Sequence, residues 1–126
     1  MISSRRLLLA LLFCSTAVAI AASSSGRWLL VPAKDHARIN PLAATPQAID
    51  AGAMLYHTHC SQCHGPTALG DGRKHPSLRT DRIHQATDGD IEWFLRQGDL
   101  AHGMPSWSSL PTSQRWQIIA YLRSLP

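Results

Sequence analysis

Three stretches of this chain repeat apolar residues at three- and four-residue steps, the spacing that lines one side of an α-helix. Ala48, Ile49, Gly52, Leu55, Tyr56 and His59 form the first, running into Cys60, with Thr45 placed as a cap and Pro46 at the first helical position. Thr87-Asp88-Gly89-Asp90 offers caps and negative charge at the start of the second, whose apolar positions are Ile91, Phe94 and Leu95 and whose stop signal is Gly98. Pro111 and Thr112 open the third, in which Trp116, Ile119, Ala120 and Tyr121 make an apolar side down to Leu125. Between the first two, Gly65 to Thr87 is rich in Gly, Pro, Asp and Arg, with Gly70-Asp71-Gly72 as a turn signal; it reads as loop with room for one short helical turn. No run alternates in the manner of a strand, and no internal repeat is present. The pattern predicts a small all-α domain over residues 47–126.

The start of the chain has a different texture. Arg5 and Arg6 precede an apolar stretch from Leu7 through Ala22 that ends in small residues, which reads as an export signal with cleavage near Ala19 or Ala22. The alternative is an uncut membrane anchor, although the 16 residues from Leu7 to Ala22 fall just short of the about 17–25 needed to span. Trp28, Leu29, Leu30 and Val31 would then extend membrane association through this segment. Cys14 leaves with the signal if cleavage occurs. Residues 23–46, with Pro32, Pro41 and Pro46 and little helical period, are expected to be an extended lead-in.

Charge narrows the choice of partner. The formal net charge is +4, and loss of Arg5 and Arg6 with residues 1–22 removes two of those charges. The remainder shows no basic stripe with a readable motif, so the sequence excludes nucleic-acid binding as its reading. Arg73, Lys74, Arg79 and Arg82 are a loose cluster expected to be solvated, with docking to an acidic partner as its functional alternative. Asp71, Asp81, Asp88, Asp90, Glu92 and Asp99 fall in loops and helix starts, where capping and solvation account for them. No nucleophile-base pair or phosphate-cradling loop is present.

The chemistry concentrates at Cys60-Ser61-Gln62-Cys63-His64. Two thiols three positions apart can form thioethers with the two vinyl groups on one edge of a haem, while the adjacent imidazole turns under the iron. A zinc site wants a second close ligand pair about 12–20 residues on, whereas His75 and His84 stand far apart. A thioredoxin-like dithiol wants a strand-helix-strand setting that is missing here. His57, His59, His75 and His84 are expected to be isolated surface histidines. A domain of roughly 80 residues commonly needs a staple such as a metal or crosslink, so the chain without haem is expected to be largely unfolded.

A six-coordinate electron carrier needs a ligand on the other haem face. Of Met1, Met54 and Met104, the first lies in the signal and the second on the helix leading to Cys60, where core packing explains it. Met104, in Gly103-Met104-Pro105, can cross the porphyrin on a constrained loop, and a sulfur ligand paired with histidine raises the reduction potential. His102 is the competing ligand.

With these residues in view, the chain resembles the class I cytochromes c of the bacterial monohaem type. The resemblance runs from about Ala48 to the C-terminus and rests on Gly52 and Tyr56, Cys60 to Gly65, Gly70-Asp71-Gly72, Gly103 to Trp107, and Trp116 to Leu125. It implies a cytochrome c-like helical domain wrapped around one covalently bound haem c, with the first and last helices crossing where Gly52 permits close approach and Tyr56 packing on Trp116, Ile119 or Ala120. It also implies that the carbonyl of Pro76 accepts the Nδ1 proton of His64, and that Trp107 packs by the haem or bonds a propionate. A docking ring of lysines does not carry over, since only Lys34 and Lys74 are present.

The function expected is that of a periplasmic single-electron carrier passing electrons between redox partner proteins, with no bond chemistry of its own. Two rivals remain: the haem subunit of a larger periplasmic oxidoreductase, and a haem sensor or peroxidase with a labile sixth ligand, for which rapid carbon monoxide binding would speak.

Overall fold

In the computed structural model, which describes residues 26–43 and 45–126, the helical segments in chain order are α1 (Ala33–His36), α2 (Pro46–His59), α3 (Ser61–His64), α4 (Asp81–Gln85), α5 (Asp88–Gln97) and α6 (Thr112–Ser124). Turns of 3-10 helix lie at Gly26–Leu30 and Leu100–His102. Extended pairing among the described residues is limited to one isolated bridge, Asp99 to Met104. The chain is all-α, as its periodicity predicts. The expected export segment, residues 1–22, lies outside the described residues.

Local chemistry sets the helix ends. Pro46 occupies the first turn of α2, and Thr45 precedes it, but the Thr45 hydroxyl donates backwards to the Leu42 carbonyl (2.8 Å) and makes no side-chain cap. Thr87 and Asp90 form a reciprocal capping box at the start of α5: the Asp90 amide donates to Thr87 Oγ1 (3.1 Å) and the Thr87 amide to Asp90 Oδ2 (2.8 Å). Gly98 ends that helix at φ 69°, a left-handed conformation.

The core sits where α2 crosses α6, the most extensive helix contact among the described residues. Tyr56, Cys60, Ile91, Leu95, Trp116, Ile118, Ile119 and Leu122 are buried together there. Gly52 makes the crossing close, since a Cβ at that position would stand 1.9 Å from the Gln117 carbonyl oxygen. The Tyr56 ring lies 5.3 Å from that of Tyr121.

Three expectations need correction. Residues 26–43 are not an extended run: the 3-10 turn and α1 form a strap docked on α5. Its anchors are polar, which the apolar period does not register. The Arg96 guanidinium donates to Asp35 (2.6 Å), the Asn40 amide to the Trp116 carbonyl (2.9 Å), and the Thr87 hydroxyl to the His36 carbonyl (2.8 Å). Trp28 adds an aromatic contact, its ring 4.1 Å from that of Phe94. Glu92 is not solvated. It is 0% exposed and accepts from Arg38 and from Arg115 Nε (2.9 Å), so the charge is neutralised by guanidinium groups from the strap and from α6. Met54 is not core; α2 turns it outward, 68% exposed.

Candidate functional site

Cys60 is the one residue between α2 and α3, and the single helical turn of α3 carries the other two residues of the cysteine-histidine motif, Cys63 and His64. Cys60 closes α2, its amide bonded to the Tyr56 carbonyl (2.8 Å), while the amides of Cys63 and His64 both donate to the Cys60 carbonyl (3.1 and 2.9 Å). Both cysteines are free thiols, Cys60 buried and Cys63 half-buried. Burial, reinforced by the neighbouring Cys63, pushes the Cys60 thiol up to about 11. Below the motif, the Tyr56 hydroxyl donates to the Gly65 carbonyl (2.7 Å) and so fixes the residue that follows His64. Burial is the main cause that pushes the Tyr56 phenol up to about 12, so it remains a neutral donor at neutral pH.

His64 is oriented from the loop that follows. Its Nδ1–H donates to the Pro76 carbonyl at 2.9 Å. With that proton committed, Nε2 carries the lone pair and is the nitrogen free to bind a metal. The Pro76 loop is itself tied down. Asp71 Oδ1 accepts from the amides of Arg73 and His75 (2.9 Å each), and Oδ2 accepts from His75 Nδ1 (2.7 Å). Those bonds, the His75 amide first, hold the Asp71 carboxyl well below the usual carboxylate range. Gly70 is pressed onto the same strand of chain, with φ 71° and a Cβ position 2.4 Å from the His75 carbonyl oxygen.

Asp71 and His75 were therefore underread in the sequence. One looks like a turn carboxylate and the other like a surface histidine, yet Asp71 holds both the amide and the ring of His75, the residue next to Pro76. The readable signal is an aspartate bonding the amides two and four residues on, a turn habit of that side chain.

Met104 sits on a second loop, closed at its base. The Asp99 amide donates to the Met104 carbonyl (2.8 Å) and the Met104 amide to the Asp99 carbonyl (3.0 Å). Beyond it, the Ser106 hydroxyl donates to the Arg96 carbonyl (2.7 Å) and the Trp107 amide to the Leu95 carbonyl (2.8 Å). Met104 and Trp107 are half-buried against the core, and the Trp107 ring lies 5.1 Å from that of His59, next to Cys60. His102, the competing ligand, turns its Nδ1 to Asp99 (2.8 Å) with its side chain 77% exposed.

The remaining candidates are quieter. His57 and His84 are exposed, as are Arg73, Lys74 and Arg82, while Arg79 donates to the Pro126 carbonyl (2.8 Å). Among the described residues no group of three or more His, Cys, Asp or Glu side chains is placed to hold a metal ion, and no helix is long and apolar enough to cross a membrane.

Helices packed around a turn that offers two thiols and one oriented imidazole define a class I c-type cytochrome, an electron-transfer protein of which haem c is the cofactor. Comparison with known proteins agrees: residues 47–122 match the family model described as cytochrome C oxidase, cbb3-type, subunit III, and the chain belongs to that family. It is 36% identical over 95 residues to the quinohemoprotein alcohol dehydrogenase ADH IIB of Pseudomonas putida, a match covering 74% of this chain and 13% of that protein. A second such enzyme from the same organism, ADH-IIG, is 37% identical over 94 residues, 72% of this chain and 12% of its own length. The chain thus spans only about an eighth of the length of these curated relatives. The crystal structure of cytochrome cL from the marine methylotroph Methylophaga aminisulfidivorans superposes with a TM-score of 0.58 at 28% identity, covering 68% of this chain and 58% of that one.

Proposed function

We propose that the protein is an exported single-electron carrier that holds one haem c, joined by thioethers to Cys60 and Cys63 and ligated by His64 and Met104. The observation that carries this reading is the bond from His64 Nδ1 to the Pro76 carbonyl, because it aims the free nitrogen of an imidazole on the same turn as two thiols. The donor set fits the group: two thiols for attachment, a basic nitrogen and a soft sulfur for the iron. When bound, the haem supplies reversible exchange of one electron between ferric and ferrous states.

Each residue then has a defined task. Cys60 and Cys63 tether, so repeated docking with partners does not shed the group. Pro76 keeps the His64 ring in one tautomer and raises its basicity. Met104, on a loop closed by its own backbone bridge to Asp99, would give the iron a soft sulfur ligand and so hinder exogenous ligands. Trp107, whose ring lies against that of His59, would pack by the haem or bond a propionate. The redox partners are proteins that approach the haem edge, and the N-terminal segment either leaves on export to the periplasm or anchors the domain to the membrane facing it.

A second reading is favoured by the relatives: a domain of this kind matches an eighth of two quinohemoprotein alcohol dehydrogenases, so the chain also suits the role of haem subunit beside a larger oxidoreductase. Copurification of a second polypeptide with the native protein decides for it. The ligand assignment is tested by Met104→Ala, which is expected to abolish the sulfur-to-iron absorption band and lower the potential with haem still attached. An unaltered spectrum and potential would show the wrong ligand has been named.

A further inference from the structure

The strap of residues 26–40 precedes the stretch matched by the family model, residues 47–122, yet it reaches the loop that carries Met104. Its far end is fixed by the Asp35, His36, Arg38 and Asn40 contacts to α5 and α6, and Gly89 lets it lie close, since a Cβ there would stand 1.9 Å from the Asp35 carbonyl oxygen. Its near end carries Arg27. That guanidinium lies over the Phe94 ring (5.8 Å to the centroid), donates from Nη2 to the Gly98 carbonyl (2.8 Å), and pairs through Nη1 with Asp99 Oδ1 (3.4 Å).

Gly98 and Asp99 are the two residues on which the Met104 loop closes. Asp99 exchanges both backbone bonds with Met104, and Gly98 is pressed onto Pro105, where a Cβ would come within 2.5 Å of backbone. A side chain that holds Gly98 and Asp99 therefore holds Met104 at one remove. The pair is half-shielded, with side-chain exposures of 35% for Arg27 and 16% for Asp99, so its contribution exceeds that of a fully solvated ion pair.

We propose that this strap is a positioning clamp for the sixth-ligand loop and that Arg27 sets how readily Met104 leaves the iron. The inference rests on the reading of Met104 as ligand, and the test separates the two. Imidazole binding to the ferric mature protein is followed optically in the unsubstituted protein and in Arg27→Ala, Arg123→Ala and Met104→Ala. Arg123 is the control: it ties Asp88 (2.8 Å) and the carbonyls of Ile83 and Ala86, an equally charged fastening away from the loop.

Arg27→Ala is expected to bind imidazole roughly 3- to 10-fold faster, from loss of the charge-assisted bond to the Gly98 carbonyl and the longer pair with Asp99, while Arg123→Ala binds at the original rate. Met104→Ala should bind fastest. If Arg27→Ala binds at the original rate, or if Arg123→Ala accelerates it equally, the clamp is refuted even though Met104→Ala behaves as expected. If Met104→Ala leaves both spectrum and rate unchanged, the ligand assignment fails first and the clamp with it.

Discussion

Replacing Gly52 by alanine tests the geometry that places the attachment turn. The new Cβ would stand 1.9 Å from the Gln117 carbonyl oxygen and 2.5 Å from its carbonyl carbon, where Cβ contacts essentially never fall below 3.0 Å. The helices α2 and α6 must therefore part by about 1 Å, and because the obstructing atoms are backbone, no rotamer change relieves the contact. Overpacking that moves backbone costs about 1–3 kcal/mol, with the upper end applying here. Alanine's better helix propensity returns about 1 kcal/mol. The net loss is about 2 kcal/mol, or roughly 8–16 °C in Tm for a domain of this size. Thermal unfolding of the mature protein, followed by circular dichroism at 222 nm (about the usual helix band), measures it. A Gly52→Ala protein as stable as the original would show that α2 and α6 do not approach as described.

Two further outcomes follow from charged groups that the fold commits. Glu92→Ala leaves the Arg115 guanidinium, only 5% exposed, without its carboxylate, and is expected to cost about 3–5 kcal/mol; a melting temperature within a few degrees of the original would contradict the buried network. Asp71 holds its proton less readily in the fold than in the unfolded chain, so its contribution is present above the ordinary carboxylate value of about 4 and is lost as pH falls from there toward the lower folded value. The difference in Tm between the original and Asp71→Asn should accordingly shrink from pH about 5 downward, and a difference that is constant with pH would refute the clamp on the Pro76 loop.

The helices were legible because each buries one apolar side, and the period of Ala48 to His59, of Ile91 to Leu95 and of Trp116 to Leu125 records it. Thr87 and Gly98 marked the bounds of α5 through cap chemistry that acts over three or four residues. The motif at Cys60 to His64 is local, and so was readable whole. What escaped depends on partners distant in the chain: Glu92 meets Arg115 across 23 residues and Arg38 across 54, and nothing in its own neighbourhood tells it from a solvated glutamate. The strap escaped for the same reason, since Asp35 and Asn40 are polar residues buried by hydrogen bonds to α5 and α6. Prolines at 32, 41 and 46 hid its short helical turns by breaking any longer period. Met54 was misplaced because a helix period assigns faces only while the apolar stripe is unambiguous, and α2 has apolar residues beyond the face that meets α6.

The functional account depends on covalent attachment of one haem at Cys60, where α2 ends, and Cys63, in α3. The most direct measurement is the intact mass and visible spectrum of the mature protein, made in a host that attaches haem to exported chains and then extracted with acidified acetone. The account predicts a mass greater than the polypeptide by one haem, and a red colour that stays with the protein. A mass equal to that of the amino acids alone, or colour that passes into the acetone, would contradict it.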